Sequence, residues 1–262
     1  MLPQHPYVRE AGDGESVVCL HASTSSSRQW LTLTERLSGS HRVLAPDLSG
    51  HGRNAWQGDG NALEDDVRLV EALAGSEAVH LVGHSYGGAV ALRYALRHPR
   101  RVLSLSLYEP AAWHLVGGLD DGEVLYVGRS IARLAAGGDA HEAARRFIDY
   151  WNGAGSFERM EPNQQARLAA QMPRVVAHFA ALFADATPLH LYARLHVPAL
   201  LLSGRTGPRC GPQVAEILSD TLPRAGALWL PDLGHMGPVT DPGAVNGVIA
   251  RFVERHTVAA TQ

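Results

Sequence analysis

The sequence predicts a doubly wound α/β fold: a mostly parallel sheet with helices on both faces and a helical lid inserted into it. Three observations lead there. Short, near-continuous apolar runs alternate with helical patterns over the first hundred residues, and strands of that kind must be covered on both faces, as in a parallel sheet. From about residue 111 to residue 195 the strand signal disappears and only helical patterns follow. The strand–helix alternation then resumes to the end, so the helical stretch interrupts the core and does not follow it.

Taken in order, Ser16–Leu20 reads as a strand, Ser27–Leu37 as a helix and Arg42–Ala45 as a strand. Asn61–Ala74 places Leu63, Val67, Val70 and Leu73 on one helical face. Ala78–Val82 is the next strand, Gly87–Arg97 a helix and Val102–Leu107 a strand. Four helical patterns follow, Glu123–Ala136, Ala140–Trp151, Pro162–Gln171 and Arg174–Phe183, the last two divided by Pro173. Val197–Leu202, Pro212–Leu222, Ala227–Leu230 and Gly243–His256 complete the alternation. The expected organisation is a core of residues 1–110 and 196–262, with residues 111–195 as a cap over the carboxyl edge of the sheet, where open α/β sheets bind ligands.

Composition narrows the chemistry. The 262 residues carry a formal net charge of −3 with a pI near 6.5, which argues against a nucleic-acid partner. All 23 basic residues are arginine. With no lysine there is no Schiff base, no pyridoxal-phosphate anchor and no Walker-type phosphate lysine. Cys19 and Cys210 sit in or beside apolar runs, as small core hydrophobes do, which favours a cytoplasmic location. The first ten residues have neither the basic nor the apolar region of a leader, and no apolar run reaches a membrane span. The expectation is a protein with a small-molecule substrate, no membrane or nucleic-acid partner, no cofactor and no metal, existing as a monomer or homodimer.

The chemistry lies in Gly83-His84-Ser85-Tyr86-Gly87-Gly88. It follows a strand and opens a helix, the context in which G-x-S-x-G presents a nucleophile. The alternative is an ordinary turn serine. A serine hydroxyl needs a base at neutral pH. Of fourteen histidines, His235 is best placed, in a loop just past the last predicted strand. A surface-loop histidine is its bland reading. His84 points elsewhere on the elbow, and His21 and His51 sit in loops where structural hydrogen bonds explain them. Backbone N–H groups of Tyr86 and Ser23 are the candidate oxyanion hole. Trp113 and His114 are the best-placed substrate-binding side chains. Gly50-His51-Gly52 lacks the helix that a dinucleotide motif needs, and His141-Glu142 lacks the second histidine of a zinc helix.

These motifs resemble the α/β-hydrolase superfamily, in its esterase, haloperoxidase-like and C–C hydrolase group. Leu20-His21-Ala22-Ser23, Ala45-Pro46-Asp47 through Gly52, the elbow around Ser85, Leu107-Tyr108-Glu109-Pro110, Leu200 to Gly204 and Gly234-His235 stand in the family order. The resemblance implies a catalytic triad and, with it, one departure. Its usual acid stands three residues after the glycine that closes the penultimate strand, and Gly207 occupies that place. The next carboxylate, Glu216, falls inside a helical pattern. Either the triad lacks its acid or another strand end supplies it. Glu109, at the end of Val102–Leu107, is the preferred acid, with a structural role or a substrate contact as its alternatives; Asp47 and Asp232 are lesser candidates. The activity implied is hydrolysis of an ester of small or medium apolar character by Ser85, His235 and Glu109. Cleavage of a C–C bond in a diketone, or a non-hydrolytic lyase or binding protein on the same scaffold, are the alternatives.

Overall fold

The computed structural model describes residues 6–56, 60–116 and 122–257. Residues 1–5, the first half of the ten-residue segment that carries no leader pattern, lie outside it. Among the described residues a seven-stranded sheet runs in the order β1-β3-β2-β4-β5-β6-β7. The strands are Val8–Ala11 (β1), Glu15–Leu20 (β2), His41–Pro46 (β3), Val79–His84 (β4), Val102–Tyr108 (β5), Ala199–Gly204 (β6) and Ala225–Leu230 (β7). All pairings are parallel except that of β1 with β3.

The helices are Leu31–Leu37 (α1), Ala62–Ala74 (α2), Tyr86–Arg97 (α3), Glu123–Ala136 (α4), Ala140–Asn152 (α5), Pro162–Phe183 (α6), Leu189–Tyr192 (α7), Cys210–Thr221 (α8), Gly237–Thr240 (α9) and Pro242–Arg255 (α10). Period-two alternation along β2 explains the two layers. Val17 and Cys19 pack with Trp30, Leu33 and Leu37 of the α1 region and with Val245, Ile249 and Val253 of α10, while Val18 and Leu20 pack with α2 and α3 on the opposite face. Both faces of the sheet are therefore covered. Among the described residues no helix is long and apolar enough to cross a membrane.

Two local expectations are corrected. Pro173 does not divide two helices: α6 continues through it. Proline removes one backbone hydrogen bond, but Met172, Val175, Phe179 and Leu182 bury a continuous apolar face on both sides of it, and that burial outweighs the lost bond. The span Ser27–Leu37 opens as a tighter 3₁₀ turn over Ser27–Trp30 before α1 begins. The helix read over Asn61–Ala74 begins at Ala62, and Asn61 caps it, its side chain accepting from the N–H groups of Leu63 and Glu64.

Candidate active site

Ser85 stands between β4 and α3 with φ 52° and ψ −117°, a backbone conformation that a side chain other than glycine rarely adopts. The glycines around it are there for close approach. A Cβ on Gly83 would lie 2.6 Å from Gly88 Cα, and one on Gly87 only 2.4 Å from the Leu20 carbonyl oxygen. The elbow is tied down by the Ser85 N–H, which donates to the Tyr108 carbonyl at 3.0 Å, and by the Ala111 N–H, which donates to the Ser85 carbonyl at 2.9 Å.

His235 joins this serine to Glu109. Its Nε2 lies 2.9 Å from Ser85 Oγ and its Nδ1 2.7 Å from Glu109 Oε2, and all three residues are buried. The other carboxylate oxygen, Oε1, accepts from Ser203 Oγ at 2.8 Å and from the Gly204 N–H at 2.9 Å. Glu109 has φ 41°, and its N–H donates to the Leu202 carbonyl at 3.0 Å. The strained strand end is thus anchored to β6, and its carboxylate is fully bonded.

Room for that carboxylate comes from Gly211 in the first turn of α8, where a Cβ would meet Oε2 at 2.4 Å. The partial positive charge of a helix N-terminus is a favourable neighbour for an anion. Gly207 has φ 109°, so a carboxylate-bearing residue placed there would be strained. Asp47 serves the loop backbone, its oxygens accepting from the N–H groups of Ser27 at 2.7 Å and Arg53 at 2.8 Å. Asp232 and Glu216 are exposed.

Two residues of the cavity wall carry backbone N–H groups without a protein acceptor among the described residues. Ser23 N–H has no acceptor among the described residues, and Tyr86 N–H opens α3, where first-turn amides have no intrahelical partner. Residues Ala22, Ser23, Ser85, Tyr86, His178 and His235 meet around a cavity of ≈ 30 Å³, closed over by Trp113, Phe147, Trp151 and Phe179. The Trp151 ring lies 4.0 Å from that of His235. On its far side is an open groove of ≈ 420 Å³ that shares Trp151, Asn152, His235 and Met236.

Of the two expected pocket side chains, Trp113 lines the cavity and His114 does not. His114 Nε2 is 3.2 Å from the Tyr192 hydroxyl and its Nδ1 3.7 Å from Asp185, away from the serine. The other histidines serve the frame. His84 Nε2–H donates to the His235 carbonyl at 2.8 Å, and the N–H groups of Leu48 and Thr24 donate to His21 Nε2 at 2.9 Å and His51 Nε2 at 3.0 Å. Burial pushes His21 down to about 4 and His51 and His84 well below the usual range; these rings are neutral.

Sequence reasoning passed over Ser203, Gly211 and His178, whose partners lie far away along the chain. It also passed over Glu15, His41 and His80 at the opposite edge of the sheet, with ligand-type atoms within 4.8 Å of one another. His80 Nδ1 there is 2.7 Å from Ser104 Oγ, and His41 Nε2 is 2.8 Å from Thr257 Oγ1.

Comparison with known proteins places the architecture. The chain is 36% identical over 110 residues, 41% of its length, to the dihydrolipoyllysine-residue acetyltransferase component of the acetoin cleaving system of Cupriavidus necator, and spans 29% of that protein. It is 29% identical to the putative carbamate hydrolase RutD of Variovorax paradoxus, covering 97% of both chains. The solved structure of MenH from S. aureus superposes with a TM-score of 0.77 at 19% identity, covering 98% of this chain and 100% of that one. The family model described as the alpha/beta hydrolase family matches residues 17–248, and the chain belongs to that family.

Proposed function

We propose that the protein is a serine hydrolase that cleaves an ester of a small or medium apolar substrate, with Ser85 as nucleophile, His235 as base and Glu109 as the acid that orients it. The observation that carries this reading is the single imidazole bonded to both partners, 2.9 Å from the Ser85 hydroxyl and 2.7 Å from the Glu109 carboxylate. The whole-length likeness to a putative carbamate hydrolase supports the same reaction class. Residues 111–195 act as a cap on the core formed by 1–110 and 196–262.

Glu109 accepts the Nδ1–H of His235 and so keeps Nε2 free to receive a proton. Ser85 Oγ bonds to the acyl carbon as its proton passes to Nε2, and the carbonyl oxygen becomes an oxyanion held by the N–H groups of Tyr86 and Ser23. Collapse breaks the bond to the leaving alkoxide, which takes the proton from His235. Water then adds to the acyl carbon while giving a proton to Nε2, the bond from that carbon to Ser85 Oγ breaks, and Oγ takes the proton back from Nε2 as the acid leaves. The aromatic cover limits bulk water and gives the acyl group a mostly apolar wall.

The test is turnover of short p-nitrophenyl esters together with labelling by a fluorophosphonate. Wild type should turn over and label, and Ser85→Ala should do neither. Equal rates in the two would remove Ser85 from the mechanism.

A further inference from the structure

The cavity beside Ser85 has a polar corner, formed by Ser23 and His178, in a mostly apolar lining. Trp113, Phe147, Ile148, Trp151, Phe179 and Leu182 form its apolar side, while His178 from α6 and the Ser23 side chain stand together against it. His178 Nδ1 is 2.7 Å from Ser23 Oγ. The ring is clamped flat, 3.5 Å from Tyr86 at an interplanar angle of 7°, with His51 stacked beyond it at 5.1 Å. His178 is 1% exposed, and its Nε2 has no hydrogen-bond partner among the described residues. A phenylalanine would stack on Tyr86 equally well, so packing alone does not call for an imidazole.

Burial holds His178 well below the ordinary histidine range, so the ring is neutral and carries one proton. With that proton on Nδ1, it donates to Ser23 Oγ and leaves the serine O–H to point at a bound molecule. Ser23 also supplies a backbone N–H to the carbonyl oxygen in the mechanism above. An acceptor that meets its hydroxyl therefore sits one or two carbons from the scissile carbonyl.

We infer that Ser23 and His178 form a specificity site for an oxygen substituent, hydroxyl or keto, on C2 or C3 of the acyl group, making short oxygenated acyl esters the preferred substrates. This inference rests on the serine-hydrolase reading, and it assigns Ser23 and His178 a role in substrate selection beyond that reading.

The experiment compares kcat/KM for two matched pairs of p-nitrophenyl esters, lactate against propionate and 3-hydroxybutyrate against butyrate, in wild type, Ser23→Ala and His178→Phe. Each variant meets the same intrinsic ester reactivities, so the change in ratio reads the protein's contribution. In wild type at least one pair should favour the hydroxy ester about tenfold or more, as expected when buried polar groups gain a partner. That preference should shrink to within about threefold of parity in both variants, with most of the loss in KM. Should His178→Phe fail to fold, Ser23→Ala, which deletes one oxygen from a loop, decides alone. A wild-type ratio within about threefold of parity for both pairs, or a preference that survives in either folded variant, overturns the inference. If that occurs while Ser85 still labels with fluorophosphonate, only the substrate assignment falls. If Ser85 neither labels nor turns over any ester, the hydrolase reading falls with it.

Discussion

Glu109 combines a strained backbone, a carboxylate with three hydrogen-bonding partners and a glycine that makes way for it. The mechanism makes it a positioning residue for His235. Glu109→Gln keeps the shape but loses the anion and offers the wrong partner to Nδ1, so kcat on a p-nitrophenyl ester should fall ~10³–10⁴-fold. A loss under tenfold would make the glutamate structural. Gly211→Ala tests the same geometry from the other side. Its Cβ would enter the space of Oε2, 2.4 Å away, so stability should drop by about 1–3 kcal/mol in urea unfolding. Turnover should drop as well, because the carboxylate must move off the imidazole. That Ser85, His235 and Glu109 come together could be expected from the sequence because each stands within a few residues of the end of a run that reads as a strand, and parallel strands bring their carboxyl ends to one edge; the resemblance to the family pointed to Glu109 among the carboxylates. Gly211, Ser203 and His178 could not. Their meaning lies in contacts across roughly a hundred residues, and nothing local separates Gly211 from any other glycine at a helix start.

At the scale of elements, periodicity located most of the strands and helices that bury a full face, as in α4, whose bounds match the reading. It missed β1, four residues that are half-buried or exposed and paired antiparallel at the sheet's edge; so short a run carries no pattern. It divided α6 at Pro173 because local propensity was given precedence over a buried face that continues on both sides. That single proline still costs the helix a bond. Pro173→Ala should restore the N–H and stabilise the protein by about 1–2 kcal/mol, within the ~3 kcal/mol range of proline's helix penalty, seen as a Tm several degrees higher. An unchanged or lower Tm would mean that the bend proline imposes is needed for packing. Gly128 on α4 is the opposite case. A Cβ there would lie 2.7 Å from Phe179 and Phe183, so α4 and α6 meet through a gap that only glycine leaves.

For the molecule as a whole, buried neutral histidines set the response to acid. Burial lowers His21 to about 4, and His51, His84 and His178 well below the ordinary histidine range. The native state refuses protons that the unfolded chain accepts below pH ~6.5, so stability is complete above that value and is lost as the pH falls towards the native pKa values. His21 alone accounts for about 3 kcal/mol across that interval. Urea midpoints measured over a pH series should therefore be level above pH ~7 and fall steeply between ~6.5 and ~4; a midpoint level through that window would contradict the burial of these rings. The sheet has a different consequence. The long helical segment departs from β5 and returns to β6, the strand directly hydrogen-bonded to it, with Leu105 opposite Ala199. Under the proposed function the frame carries the reacting groups together with Ser23, and the crossover carries the aromatic part of the wall and His178. A chimera with a foreign crossover between these two neighbours should accept different esters and still react with fluorophosphonate, so selectivity can diversify here as an exchangeable cassette while the chemistry underneath is inherited unchanged.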